Sequence, residues 1–417
     1  MDADPATAAR EACALAALDR SALLCDLQEL VRIQSVTGAE RGAAQFVVER
    51  ARALGLDAEI EEQDLAALRT DPQHPGEEVA RTELVNARVR MAGAGQRRLA
   101  LCGHLDVVGP GAAAWTHDDP YSGVIDHAGR LFGRGSVDMK AGVVAALHAL
   151  GAIAAAGVTT APVDLLAVSS EEDGGLGAFA ALRRDADYAG CVIPEPTSFD
   201  VVCAQAGAVT FKGIVRGRGA HAAHRKQGVS AIDLYIPIHQ ALADHEDAMN
   251  AAVEHPLMRK LDLPYPVLVG RIAAGTWSSQ VPDLLEFEGR APVRVGESVN
   301  AAREAVEQVV RAACPDAELS WTGGAFASCQ IDPADPLVEV TAAAAAAELG
   351  RDVGRLGVPW GADMRLFAAA GIPTVMCGPS GIERAHATDE WVACDEVLAT
   401  ARMLIRVICR FGSMART

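Results

Sequence analysis

The sequence predicts an α/β fold, a mostly parallel sheet covered by helices, with a smaller α+β domain of ferredoxin-like order inserted into it. Two observations predict this. Strand-like apolar runs at residues 98–105, 163–168 and 191–193 alternate with helix-spaced segments, which implies parallel pairing covered on both faces. From about residue 208 the order becomes β-α-β-β-α-β, that of a small antiparallel sandwich, and the αβ alternation resumes afterwards. The chain is therefore expected to form a first domain from 1–207 and 325–417, with an insertion at 208–324.

Residues 19–54 place Leu23, Leu24, Leu27, Leu30 and Val31, then Phe46, Val47 and Val48, at helical spacing, which predicts two helices joined at Ser35-Val36-Thr37-Gly38. The alternation at 56–60 reads as a strand, and the polar stretch 64–78, with Pro72, Pro75 and Gly76, as a surface excursion. Segments 84–89 and 98–105 are β-like, and Ala92-Gly93-Ala94-Gly95 between them suits a hairpin or a short crossover. A glycine-punctuated loop at 133–142 runs into an alanine-rich helix reaching about residue 156. A helix across 178–183 separates the strands 163–168 and 191–193. In the insertion, strands are expected at 209–216, 267–272, 284–295 and 317–321, and helices at 229–250 and 299–313. The last stretch offers helices at 337–349 and 364–370, a loop at 359–363, a strand at 373–377 and a final helix from about 396.

With 417 residues, half of them hydrophobic, the chain can bury a large core. Its net charge of −18, without a basic patch, argues against nucleic acid or an anionic membrane as partner. Ten scattered cysteines without a CxxC pair point to reduced thiols in a cytoplasmic protein. The acidic start Met1-Asp2-Ala3-Asp4 lacks the features of a secretory signal. The apolar stretch 141–158 approaches membrane-spanning length, but its glycines, alanines and His148 read as a buried helix.

His104, Asp106, Asp138, Glu171, Glu172, Glu195 and His386 all fall where expected strands or adjoining loops open on one sheet edge, where ligands bind in such folds. Singly, each is explained by solvation of a strand end. Together, so many carboxylates in one crevice would repel unless cations neutralised them. Imidazole and carboxylate donors suit Zn²⁺, with Mn²⁺ or Co²⁺ as alternatives. Two such ions sharing a carboxylate polarise a carbonyl and activate a water, and a further carboxylate must move the proton.

His104-Leu105-Asp106, Gly133-Arg134-Gly135-Ser136-Val137-Asp138-Met139-Lys140-Ala141-Gly142, Glu171-Glu172, Glu195-Pro196-Thr197 and His386 resemble a family of dinuclear zinc amidohydrolases and peptidases. It includes acetylornithine deacetylase, succinyl-diaminopimelate desuccinylase, aminoacylase and carboxypeptidase G, and the resemblance covers nearly the whole chain. It implies a zinc-exopeptidase-like fold whose inserted domain is a lid that mediates dimerisation. It further implies that His104 and Glu195 hold one metal, that Glu172 and His386 hold the other, and that Asp138 bridges them. Asp106 would orient His104, and Glu171 would be general base and then acid. Gly219-Ala220-His221 resembles the lid segment whose histidine stabilises the oxyanion, often in the partner's site. Gly361-Ala362-Asp363-Met364-Arg365 resembles the segment whose arginine binds a substrate carboxylate; an ion pair with Asp363 is the other reading of Arg365.

Two places depart from the family pattern. Ser279, in Trp277-Ser278-Ser279-Gln280-Val281-Pro282, stands where many members have asparagine, and Ala222-Ala223-His224-Arg225-Lys226 follows His221 without the usual proline. Competing motifs fail. Gly378-Pro379-Ser380-Gly381 lacks nucleophile-elbow spacing, and the 133–142 loop has no GK[ST] element. The expected function is hydrolysis of the amide of a small N-acyl amino acid or related N-acyl amine by a metal-activated water, in a homodimer. The alternative is a dipeptidase or carboxypeptidase of the same family, and the rival from another class is a catalytically silent binding protein of the same fold.

Overall fold

The computed structural model describes residues 4–412. The chain divides into two compact units, one formed by residues 1–203, 331–356 and 366–417 and the other by 204–330 and 357–365. The second unit thus contains the expected insertion at 208–324 and also takes in the later stretch 357–365.

In the first unit the strands Leu99–His104, Val163–Val168, Gly190–Ile193 and Thr374–Met376 run parallel at the centre of a mixed sheet. All of their residues are buried, as the unbroken apolar runs require of strands covered on both faces. His104 lies opposite Val168, and Ile193 opposite Met376, so residues 105–106, 169–172, 194–195 and 377–378 all emerge at one carboxyl edge. Val85–Met91, Asp57–Glu62 and Val201–Gln205 flank this centre in antiparallel pairing. The last of these strands is too short to have been distinguished from the insertion that follows it.

The hairpin reading of segments 84–89 and 98–105 does not hold, because Val163–Val168 lies between the two strands. The linker crosses over the start of that strand, with Ala94 N–H on the Thr160 carbonyl at 2.7 Å. Gly93 permits this, since a Cβ there would lie 2.4 Å from the Ala161 carbonyl carbon.

Helices Arg20–Arg32 and Arg41–Ala53 meet at the expected junction, and a further helix, Pro5–Ala17, precedes them with Asp4 as its cap. The stretch Ser136–Ala155 is long and apolar enough to cross a membrane, yet 89% of it is buried inside the protein. It packs on the final helix, Cys394–Phe411. A two-stranded ribbon, Arg130–Phe132 with Trp391–Ala393, was not legible from three-residue strands; it sets the 133–140 loop beside the segment that carries His386.

The second unit is a four-stranded antiparallel sheet ordered Glu318–Phe326, Gly207–Arg216, Leu284–Val293, Leu268–Ala274, with helices Ala231–Ala251 and Val299–Ala313, the expected ferredoxin-like order. Its core joins Phe211, Phe287 and Val209 to Tyr235, Ile238, Val306 and Val310. The edge strand Leu268–Ala274 leaves Leu268 and Ile272 at least half exposed.

Candidate metal centre

His104 ends a central strand and is buried. Its Nδ1–H donates to the Asp106 main-chain carbonyl at 2.8 Å, which turns Nε2 toward Asp138 Oδ1 at 3.0 Å and Glu195 Oε1 at 3.8 Å. Asp106, expected to orient His104, thus meets the ring with its main chain. Its carboxylate lies 3.7 Å from Nδ1 and accepts instead from Glu171 N at 3.0 Å, Glu172 N at 3.1 Å and Thr37 Oγ1 at 3.1 Å. Asp173, next in the chain, accepts from Ser170 Oγ and from the buried Arg81, each at 2.5 Å.

The loop bearing Asp138 needs its glycines. Gly135 has φ 80°, and a Cβ on Gly142 would lie 2.3 Å from the Pro194 carbonyl, so the helix start can approach the strand end that carries Glu195. Lys140 is buried and donates to the carbonyls of Leu30 (3.0 Å) and Ile33 (2.8 Å), closing a helix end. Burial pushes its amine down to about 7. Glu390 Oε1 accepts the N–H groups of Val137 (2.9 Å) and Asp138 (3.3 Å), while its Oε2 meets Arg134 Nη1 at 2.6 Å. The other arm of Arg134 donates to the His386 carbonyl at 3.1 Å. His386 Nε2 lies 3.0 Å from Glu172 Oε1 and 3.4 Å from Asp138 Oδ2.

Two donor triads result, His104–Asp138–Glu195 and Asp138–Glu172–His386, with the donor atoms of each within 4.8 Å of one another. Asp138 belongs to both and turns one oxygen toward each histidine. Burial disfavours charge on His104, yet the hydrogen bond to Asp138 and the charge of Glu195 hold its pKa well above the usual value. Asp138 and Glu172 lift His386 to about 10. Burial and the charge of Asp138 raise Glu172, whereas the two imidazoles hold Asp138 well down despite its burial. A field that draws protons onto both imidazoles is one that divalent cations satisfy, and the mixed imidazole and carboxylate set fits them.

A carboxyl-edge cluster of this composition on a helix-covered α/β sheet fits a divalent-metal site, and the family and relatives it matches make the chain a metal-dependent amidohydrolase. The profile of peptidase family M20/M25/M40 matches residues 100–410, and the chain belongs to that family. It is similar to an acetylornithine deacetylase from Photorhabdus laumondii, 27% identical over 330 residues, 76% of this chain and 81% of that one. Among solved structures it resembles the di-peptidase Dug1p from Saccharomyces cerevisiae (TM-score 0.77, 13% identical, covering 97% and 99% of the two chains). It also resembles the Bacillus subtilis protein YXEP, described as a dinuclear metal binding peptidase (TM-score 0.64, 15% identical, covering 95% and 99%).

The first unit therefore brings together seven of the residues singled out in the sequence. His221 and Arg365 belong to the second unit. His221 is exposed and its Nδ1 accepts from Ala223 N at 3.1 Å, while the neighbouring Ala222 N–H donates to the Ser279 carbonyl at 2.9 Å. Arg365 is buried, with its guanidinium 4.1 Å from the centre of the Phe326 ring and 3.9 Å from Asp363 Oδ1. Sequence reasoning missed Glu390, Arg134, Thr37 and Asp173. Arg134 sits inside the quoted glycine motif and Glu390 four residues after His386, so proximity in sequence was the available signal.

Proposed function

We propose that the chain removes the acyl group from a small N-acyl amino acid or related amine. The shared Asp138, with Oδ1 at 3.0 Å from His104 and Oδ2 at 3.4 Å from His386, supports the two-metal centre, and the likeness to acetylornithine deacetylase supports the acyl substrate. Two divalent ions, Zn²⁺ or alternatively Co²⁺ or Mn²⁺, held by His104, Asp138 and Glu195 and by Asp138, Glu172 and His386, would polarise the amide carbonyl and acidify the attacking water. Glu171 would hold the proton given up by the attacking water and pass it to the departing nitrogen. Asp106 holds the Glu171–Glu172 turn in place through its two main-chain N–H groups. His221 donates to the developing oxyanion, and Arg365 receives the substrate carboxylate as a planar fork.

The exposed Leu268 and Ile272 of the edge strand, with Ile232 and Ile236 on the adjoining helix, support a homodimer through the second unit, which Ile236→Asp should dissociate in a sizing experiment. Ten free thiols support a cytoplasmic setting.

The test is metal analysis of the purified protein, joined to a screen of N-acetyl amino acids against dipeptides. Two equivalents of metal and cleavage of the acyl substrates are expected. Fewer than two equivalents at saturation overturns the dinuclear reading, and turnover of dipeptides alone replaces the deacylase by a dipeptidase. Absence of turnover of either class, with metal bound, leaves the silent binding protein.

A further inference from the structure

The two donor triads are anchored differently, and the difference lies in Arg134 and Glu390. Both side chains are almost wholly buried, at 2% and 1% exposure, and the Trp115 ring covers the guanidinium at 5.3 Å. The Glu390 carboxylate accepts from the main-chain N–H groups of Val137 and Asp138 on Oε1 and from Arg134 on Oε2. Arg134 in turn reaches the main-chain carbonyl of His386. One carboxylate and one guanidinium therefore join the main chain at Asp138 to the main chain at His386.

His386 has little else of this kind. It lies outside regular structure, at φ 62°, and its side chain is 51% exposed. His104 is paired on a central strand and its ring is fixed by Asp106; among the described residues, none of its hydrogen bonds involves Arg134 or Glu390.

We infer that the buried Arg134–Glu390 pair is a positioning device that selectively builds the metal site formed by Asp138, Glu172 and His386. This rests on the two-metal reading above. The pair requires its own chemistry. A glutamine at 390 would keep an acceptor for the Asp138 loop but turn an NH₂ group toward Arg134, which breaks the arm to His386 and leaves the arm to Asp138. A lysine at 134 keeps the charge against Glu390 but lacks the planar head that reaches two acceptors at once.

The experiment titrates Zn²⁺ into the metal-free wild type, E390Q and R134K in competition with a chromophoric chelator that resolves two binding steps. In both variants the tighter or looser step belonging to the His386 site should weaken by roughly 10–100-fold, with the other step within about threefold of wild type. H386A identifies which step is which. Fewer than two steps in the wild type overturns the two-metal reading itself. Two steps in the wild type, with both weakened alike in the variants or neither weakened, overturns this inference alone. If both variants are unfolded by circular dichroism, the pair serves the stability of the fold, which also overturns it.

Discussion

The His104 and His386 triads share a carboxylate but inherit their rigidity from different sources. His104 and Glu195 continue central strands whose register, Leu99 to Val163 and Thr374 to Cys191, is set by buried apolar pairing. Their side chains are 2% and 5% exposed. His386 hangs on a turn before the short strand Trp391–Ala393, half exposed, tied through Arg134 and Glu390 to the Asp138 loop. On the strand side the support is a contact two residues along the chain, Asp106 on His104, whereas on the loop side it is a buried ion pair between residues 256 positions apart.

The largest effect expected is from Asp138→Ala, which should release both metals together. Metal analysis after dialysis checks this, and retention of one full equivalent would break the idea that the two halves share a ligand. If Glu171 is the proton carrier proposed above, Glu171→Gln should retain both metals, since Glu171 is in neither triad, yet lower kcat by roughly 10²–10⁴-fold. Loss of metal from that variant would place Glu171 among the ligands.

Metal binding at the His386 triad should also respond to pH. The flanking Asp138 and Glu172 keep the metal-free His386 ring protonated up to about 10, and a ligand must shed that proton. Its metal affinity should therefore rise with pH across the neutral range, by up to about tenfold per unit. A flat titration profile for that step would show that His386 does not bind the ion.

Gly142→Ala places a methyl 2.3 Å from the Pro194 carbonyl and should cost about 1–3 kcal/mol in thermal unfolding, displacing the Glu195 strand end on the His104 side. The smallest change is Thr37→Val, which removes one hydrogen bond to Asp106 Oδ2 and should cost about 1 kcal/mol with the metal content unchanged.

Much of the centre was legible because polar residues at the ends of buried strands leave a linear signature. His104, Glu171-Glu172 and Glu195 each follow an apolar run, and the observed strands Val163–Val168 and Gly190–Ile193 fall on those runs. What the pattern could not resolve was pairing between segments. The linker at Gly93 read equally as a hairpin or a crossover because glycine permits both, and the intervening strand lies some 70 residues further along the chain. Glu390 and Arg134 escaped for a related reason. An acidic or basic residue in a loop is ordinarily solvated, and only burial against a distant partner makes it a support.

The sequence by itself determined the alternation of the central strands and helices and the ferredoxin-like insertion, because these follow from local periodicity, and its likeness to a known family singled out the acidic and histidine residues that the fold brings together. Tertiary structure alone decided that Asp106 orients His104 with its main chain while its carboxylate holds the glutamates, and that His386 is tethered through Arg134 to Glu390. Hydrogen bonds between segments far apart in the chain depend on directions and distances, which no one-dimensional spacing encodes.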